Sequence, residues 1–338
     1  MEKILSGTAS QPMELYDFLR LTLGLTKRQI RQAKFREAGI RVNGQQRRVT
    51  SLLAPGDVVE VCLEAGQKPS DHLVLSEKPV EILYEDGDIC IVNKPAGVAT
   101  HPGGGCYGDT VANRLMYYFH NKGESLRIRP VGRLDRETSG VLLFAKNQAA
   151  AGRLVRQRER KILRKEYLAL AEGQLRNAAE SPLVAEEYAK IVEESFAHLE
   201  RVEMRISDSA LEAEECTDSE WTISVPLGRD PENPCRAVCT PEGKEAVTHG
   251  RILREYDGYT ALAVRLDTGR MHQIRAHMAY LGHPLLGDEL YGGSRELIGR
   301  AALHARRLTL RQPFTGELLT VEAPLPEDMF HLWTTEHF

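Results

Sequence analysis

Apolar residues in "MELYDFLRLTLG" recur at helical spacing, with Leu15, Phe18, Leu19 and Leu23 on one face and Gly24 punctuating the run. A second helical stretch follows in "TKRQIRQAKFREAG", where Thr26 is placed to cap the N-terminus and Gly39 to stop the C-terminus. Its apolar Ile30 and Ala33 sit among Lys27, Arg28, Arg31, Lys34 and Arg36, which makes the remaining helix surface basic. The period then changes to two. "IRVNGQ" reads as a strand entering an Asn-Gly turn, and "PGDVVEV" as another strand. Residues 13–62 are expected to form a small α+β unit, with a polar linker over 63–78.

From 79 to 326 strands dominate. "VEILYEDGDICIVNKP" sets two apolar runs either side of Asp86-Gly87, a hairpin signal. "TVANRLMYYFHNKG" and "NQAAAGRLVRQRERK" carry helical periods; the second has Asn147 as a candidate cap and a basic end that suits the helix dipole. "GVLLFAK", "KEYLALAEG" and "EWTISVPLG" read as strands, and "AVTHGRILREYDGYTALAVRL" as a hairpin turning at Asp257-Gly258. "TGRMHQIRAHMAYLG" predicts a short helix that Thr268 could cap, and strands around Thr315-Gly316 close the pattern. Strands joined mostly by hairpins, with a few packed helices, predict an α+β domain on a largely antiparallel mixed sheet. One segment interrupts it. "LVAEEYAKIVEESFAHLERV" places Tyr188, Ile191, Val192, Phe196 and Leu199 on one face, so 177–220 is expected to be an inserted helical element.

Charge changes the picture of that insert. The 338 residues carry a net charge of −4, which on its face argues against a nucleic-acid partner. Yet 177–220 holds 13 acids against three bases, a local −10, so the remainder carries +6. Where a polyanion docks depends on that distribution and not on the total. No apolar run approaches the roughly 18 residues that cross a bilayer, and "MEKILSGTAS" has no signal-peptide apolar core. A cytoplasmic protein without membrane contact is expected. Cys62, Cys90, Cys106 and Cys216 are scattered, and "CRAVC" lacks a second metal-like pair. Reduced, unliganded cysteines follow.

Candidate chemistry centres on "VGRLDRETSG", where Asp135 stands between Arg133 and Arg136. On spacing alone it is either a structural ion pair at a turn or an ionised, desolvated carboxylate able to attack a substrate. "TGRMHQIRAH" offers Arg270, His272, Arg275 and His277. Met271, Arg275 and Met278 fall near one helical face, so Arg275 should meet a partner acid. The five-residue spacing of His272 and His277 misses the i, i+4 pair of a helical zinc site, and no metal is expected. Tyr167, in an apolar strand with bases on both sides, is either core or a platform for a nucleobase. The Gly-rich loop around His101 lacks the Gly-Lys-Ser/Thr of a Walker motif, and no dinucleotide fingerprint opens a helix after a strand.

Two resemblances bear on these residues. "LYDFLR…LTKRQIRQAKFREAGIRVNGQ…PGDVVEV" resembles the ribosomal-protein S-four-like RNA-binding domain over roughly 50 residues. It implies RNA binding, with Lys27, Arg28, Arg31 and Lys34 on the phosphates. The larger unit resembles the RluA-type pseudouridine synthases. "VNKPAGVATHP", "GRLDRETSGVLLFAK", "KEYLALAEG", "TGRMHQIRAHMAYLGHPLLGDELYGG" and "LHARRLTL" occur in that family's order.

That second resemblance implies the pseudouridine synthase fold and a cofactor-free isomerisation of uridine in RNA. The target must be flipped out at a cost of about a few kcal/mol. Asp135 would be the essential carboxylate, acting on the sugar or taking a ribose proton. Arg275 would pair with Asp135 and aim it. Tyr167 would stack on the base and assist loss of the C5 proton. Arg133 would fill the vacated space or contact phosphate, with His101 and Arg270 as further site residues. Large-subunit ribosomal RNA is the expected target, transfer RNA the alternative, and a monomer the expected state.

This chain departs from the family in two ways. Gly132 stands where many relatives carry His. The 177–220 insert is long, and its charge should keep it off the RNA or direct it to a protein partner. Two rivals remain: a non-catalytic RNA-binding or ribosome-assembly protein on the same fold, and an N-glycoside hydrolase. The latter would need a second carboxylate or an activated water, and Glu137, two positions on, has no clear motif partner.

Overall fold

Asn43 and Gly44 both take positive φ, 50° and 78°, and turn the strand Ile40–Val42 back onto Gln45–Gln46. The computed structural model describes residues 4–36, 39–63, 74–103, 105–175, 207–208 and 219–334. In the N-terminal part a four-stranded sheet runs in the order Ile4–Thr8, Val58–Cys62, Ile40–Val42, Gln45–Gln46. Its first strand was not foreseen. Ile4–Thr8 pairs antiparallel with Val58–Cys62, Ile4 opposite Cys62, so this sheet begins before residue 13.

Helical turns at Leu15–Asp17 and Phe18–Thr22 and the helix Lys27–Lys34 bury Leu15, Phe18, Leu19, Ile30 and Ala33 against Val59 and Val61. Thr26 and Gln29 form a reciprocal capping box. The helix ends at Lys34, short of Gly39. Lys27, Arg28, Arg31 and Lys34 are all exposed.

The larger sheet has eleven strands. Its main path runs Ser207–Asp208, Ser219–Ser224, Val247–Tyr256, Tyr259–Leu266, Arg164–Glu172, Leu303–Arg311, Ser139–Ala145, Ile89–Lys94, Glu81–Glu85. Leu318–Glu322 adds to Leu303–Arg311, and Arg129–Pro130 to Ser139–Ala145. Ser139–Ala145 pairs parallel with Leu303–Arg311, while the other described pairings of this sheet are antiparallel. The architecture is α+β on a mixed, mostly antiparallel sheet. The expected turns close where Gly or Asx chemistry permits: Tyr256 pairs with Tyr259 across Asp257-Gly258, with Gly258 at φ +84°. At the other hairpin the Asp86 carboxylate accepts from the backbone of Asp88 and Ile89.

All seven residues of Ser139–Ala145 are buried, so this strand is covered on both faces. The helices Val111–Asn121 and Gln148–Glu159 contribute Val111, Leu115, Phe119, Ala150 and Leu154 to the same core. Gln148–Glu159 also carries the N-terminal unit. Ala149 lies in that unit's core, and Arg153 donates to Leu23 O at 2.6 Å and Pro313 O at 2.7 Å while stacking on Phe314. The polar stretch placed at 63–78 is docked from residue 74 onward. Val74 O accepts from Asn113, and buried Ser76 donates to Asp109. Most of the 177–220 insert, including the stretch read as helical, lies outside the described residues; where it is described it is strand and not helix. Ser207–Asp208 and Ser219–Ser224 within and beside it form paired strands.

Candidate active site

Asp135 sits in the turn before Ser139–Ala145, and backbone contacts from several directions fix that turn. Lys94, fully buried at the end of Ile89–Lys94, donates to Pro95 O (2.9 Å), Arg136 O (3.0 Å) and Thr138 O (2.7 Å). Three carbonyls use all three protons of an ammonium. Burial, opposed by Asp135, pulls the amine down to about 7. The acceptor geometry nonetheless fits the charged form, because a neutral amine would leave one carbonyl unpaired.

Thr100 Oγ1 donates to Leu134 O and accepts from Leu134 N. Thr138 N closes the turn on Asp135 O at 3.2 Å. Arg300 reaches Glu137 O at 3.3 Å while paired bidentately with Asp328. Glu137 Oε2 accepts from Ala301 N, which makes this carboxylate part of the scaffold.

The arginines beside Asp135 in sequence do not pair with it. Arg136 turns to Gly97 O at 2.9 Å, and Arg133 is exposed. Arg275, buried in the helix Gln273–Tyr280, places Nη1 4.0 Å from Asp135 Oδ2. Its full pairing is elsewhere: Nε and Nη2 meet Asp288 at 2.6 and 2.7 Å. The expected Arg275–Asp135 pair is therefore the outer contact of a guanidinium held by Asp288, a fully buried residue that the sequence reading passed over. Burial alone would lower the Arg275 pKa, but the hydrogen bonds and charge of Asp288, with Asp135 behind them, raise it.

Tyr167 lies in Arg164–Glu172 at a register shift, where Glu166 pairs Arg307 and Tyr167 pairs Ala305. Such a bulge re-aims a side chain. Burial, and then the nearby Asp135, push the phenol above its ordinary range. Tyr167 is thus a neutral phenol and not a phenolate base. Gly132 takes φ +84°, and a Cβ there would lie 3.9 Å from Arg158 Nη1, so an arginine from Gln148–Glu159 borders this position.

His101 is exposed beside Thr100, with Nδ1 3.1 Å from Pro102 O. Arg270 is held outward by Glu245 O at 2.9 Å. Thr268 does not cap the helix. It donates to Gln273 Oε1 and accepts from Val247 N, and the cap position is taken by His272 in a left-handed conformation, φ 52° and ψ 24°. Such a conformation costs a non-glycine residue roughly 1–2 kcal/mol.

The structure brings Asp135, Tyr167 and Arg275 to one place. Arg133, Arg270 and His101 lie at exposed positions in the segments around it, and Lys27, Arg28, Arg31 and Lys34 lie on the other unit. Lys94, Thr100, Asp288 and Arg300 were missed. Lys94 alone carried a signal, a lysine ending the buried run "ICIVNK". Among the described residues no group of three or more His, Cys, Asp or Glu is placed to hold a metal ion.

Residues 88–280 match the model of the RNA pseudouridylate synthase family. The chain is 35% identical to the "Uncharacterized RNA pseudouridine synthase YhcT" of Bacillus subtilis over 88% of its own length and 84% of that protein. It is 35% identical to "Ribosomal large subunit pseudouridine synthase D" of Pasteurella multocida, covering 75% of this chain and 70% of the relative. Among solved structures it resembles "Human RNA Pseudouridylate Synthase Domain Containing 1", with a TM-score of 0.51 and 27% identity over 74% of this chain and 84% of that one. The chain belongs to the RNA pseudouridylate synthase family, and it is an enzyme that isomerises uridine in RNA to pseudouridine.

Proposed function

We propose that this synthase modifies large-subunit ribosomal RNA and that Asp135 is its catalytic carboxylate. The placement of Asp135 carries the second part: a carboxylate on a turn pinned by Lys94, Thr100 and Arg300, against the Arg275–Asp288 pair and close enough to Tyr167 to add to the upward push that burial gives its phenol. The name of the Pasteurella relative supports the first.

In the reaction the bond from uracil N1 to ribose C1′ breaks, the base turns, C5 bonds to C1′, and the C5 proton leaves as N1 gains one. Asp135 acts on the ribose, as nucleophile or as base. Arg275, held by Asp288, aims it. Tyr167 supplies a face for the uracil and a neutral hydroxyl. Arg133 fills the space that the flipped base leaves or meets a phosphate. His101, Arg270 and the exposed Lys27, Arg28, Arg31 and Lys34 lie along the RNA. The enzyme works in the cytoplasm as a monomer, and no cofactor takes part. Among the described residues no helix is long and apolar enough to cross a membrane. The charge of 177–220 keeps that stretch off RNA and suits it to a protein partner.

The test is tritium release from C5 of uridine-labelled RNA, joined to pseudouridine mapping in a strain lacking the gene. Release without free uracil, lost in Asp135→Asn while RNA binding persists, is the expected result. Free uracil would favour a glycoside hydrolase, and full activity in Asp135→Asn would refute the assignment. A mapped site in transfer RNA would replace the ribosomal target.

A further inference from the structure

The roles assigned above leave His272 unused. It starts the helix Gln273–Tyr280 from a left-handed backbone, makes no capping hydrogen bond, and is half-buried. Its ring meets Tyr291 edge-on, with centroids 5.8 Å apart and Nδ1 3.2 Å from the phenol oxygen. Asp135, Arg275, Asp288 and Glu137 all act on it electrostatically.

The hydrogen bonds of Tyr291 fix the imidazole's tautomer. Ala237 pairs with Arg229 across a two-stranded ribbon, and the next pair, Asp230 with Arg236, exchanges a backbone hydrogen bond. Bonded and non-bonded pairs alternate in an antiparallel ladder, so Ala237 turns its N–H and C=O away from Arg229. Tyr291 Oη meets both, accepting from Ala237 N at 2.9 Å and donating to Ala237 O at 3.0 Å. A buried carbonyl needs that donor, and a phenol has one proton to give. Burial pushes the Tyr291 phenol up to about 12, so the proton stays.

Towards His272 the phenol oxygen must therefore accept, and Nδ1 carries the hydrogen. Burial lowers the His272 pKa, with Asp135 opposing, which favours the neutral ring. A neutral imidazole protonated at Nδ1 presents a lone pair at Nε2. Among the described residues no donor reaches that nitrogen.

We propose that Nε2 of His272 contacts the substrate, accepting a hydrogen bond from the target nucleotide's uracil N3–H or ribose 2′-hydroxyl. This rests on Asp135 marking the reaction centre, which is what brings the nucleotide against His272. An N3–H donor would add discrimination, since cytosine has no hydrogen at that atom. A 2′-hydroxyl would instead distinguish RNA from DNA.

Ring-nitrogen NMR of the full-length enzyme labelled with nitrogen-15 histidine tests this, with His272→Asn identifying the resonances. In the free enzyme Nδ1 is expected to be protonated and Nε2 bare; the opposite tautomer overturns the proposal. A short RNA hairpin carrying the converted uridine, with fluorine at C5 to block proton loss, is expected to shift the Nε2 resonance. That shift should vanish with N3-methyl uracil or with a 2′-deoxy sugar, and the arm that loses it names the donor. No shift with the parent hairpin, or none lost in either arm, overturns the contact. Asn tolerates the left-handed backbone, so His272→Asn should fold and lose about 10- to 100-fold in kcat/KM; an unchanged kcat/KM overturns it as well. Absence of turnover in the wild-type enzyme would count against the catalytic reading, whereas the tautomer measurement needs no RNA and fails or succeeds separately.

Discussion

Neighbours in sequence and neighbours in space differ at Asp135. Arg136 is spent on a backbone carbonyl and Arg133 is exposed, while Arg275 is locked by Asp288. Both ends of that lock are buried, so removing one charge leaves the other stranded, at a cost of about 3–5 kcal/mol. Asp288→Asn is expected to lower the urea midpoint accordingly and to reduce kcat more than it raises KM, because a released Arg275 no longer aims Asp135. A variant with wild-type stability and kcat would show the pair to be dispensable. The motif blocks singled out Asp135, Tyr167 and Arg275, which the fold brings together. Asp288 was not, because "LLGDELYGG" reads as a loop and nothing in its spacing says that its acid is fully buried. The same holds for Lys94, whose partners are backbone carbonyls that carry no residue signature.

The elements were most readable where local chemistry decides them, at Asn43-Gly44, Asp86-Gly87 and Asp257-Gly258. They were least readable where tertiary pairing decides. "ILSGT" is too short and polar to announce a strand, yet Val58–Cys62 recruits it. The cap of Gln273–Tyr280 moved from Thr268 to His272 because Gln273 folds its side chain back onto Thr268. Two buried histidines tie elements together at this scale. His277 of that helix lies between Thr248 (2.9 Å) and Val225 O (3.0 Å), and His304 bonds Ser139 at 2.9 Å at the start of the strand that follows Asp135.

Burial pulls both histidines down to about 4, against about 6.5 in an unfolded chain. Between these values the unfolded state binds protons that the folded state refuses. The contribution of these two histidines to stability is thus complete above about pH 6.5 and is lost as pH drops towards 4, by on the order of 3 kcal/mol for each. Urea unfolding followed between about pH 7 and 4 should show this loss, and His277→Asn should flatten part of it; a profile unchanged by the substitution would remove His277 from the account.

Across the whole molecule, charge is sorted in a way that the net −4 conceals. The described surface of Lys27–Lys34 is basic, while the acids gather in 177–220. The N-terminal unit is also not a free appendage. Ala149 sits in its core, Arg153 donates to Leu23 O, and Gln29 Nε2 reaches Gln148 O at 3.4 Å. Deleting it would strip Gln148–Glu159 of these contacts, and that helix supplies Ala150 and Leu154 to the larger core. Loss of activity after such a truncation would confuse damage with loss of RNA contact. Replacing the exposed Lys27, Arg28, Arg31 and Lys34 with Ala avoids that, since Gln29, Ile30 and Ala33 keep the packing and Thr26 keeps its cap. Each cation that meets a phosphate contributes about 0.7–0.9 to the slope of log affinity against log salt concentration. The fourfold variant should therefore bind RNA more weakly at low salt and flatten that slope by up to about 3.6, with its melting temperature near that of the wild type. A slope that stays the same would mean that this helix face does not touch RNA, whatever family its unit resembles.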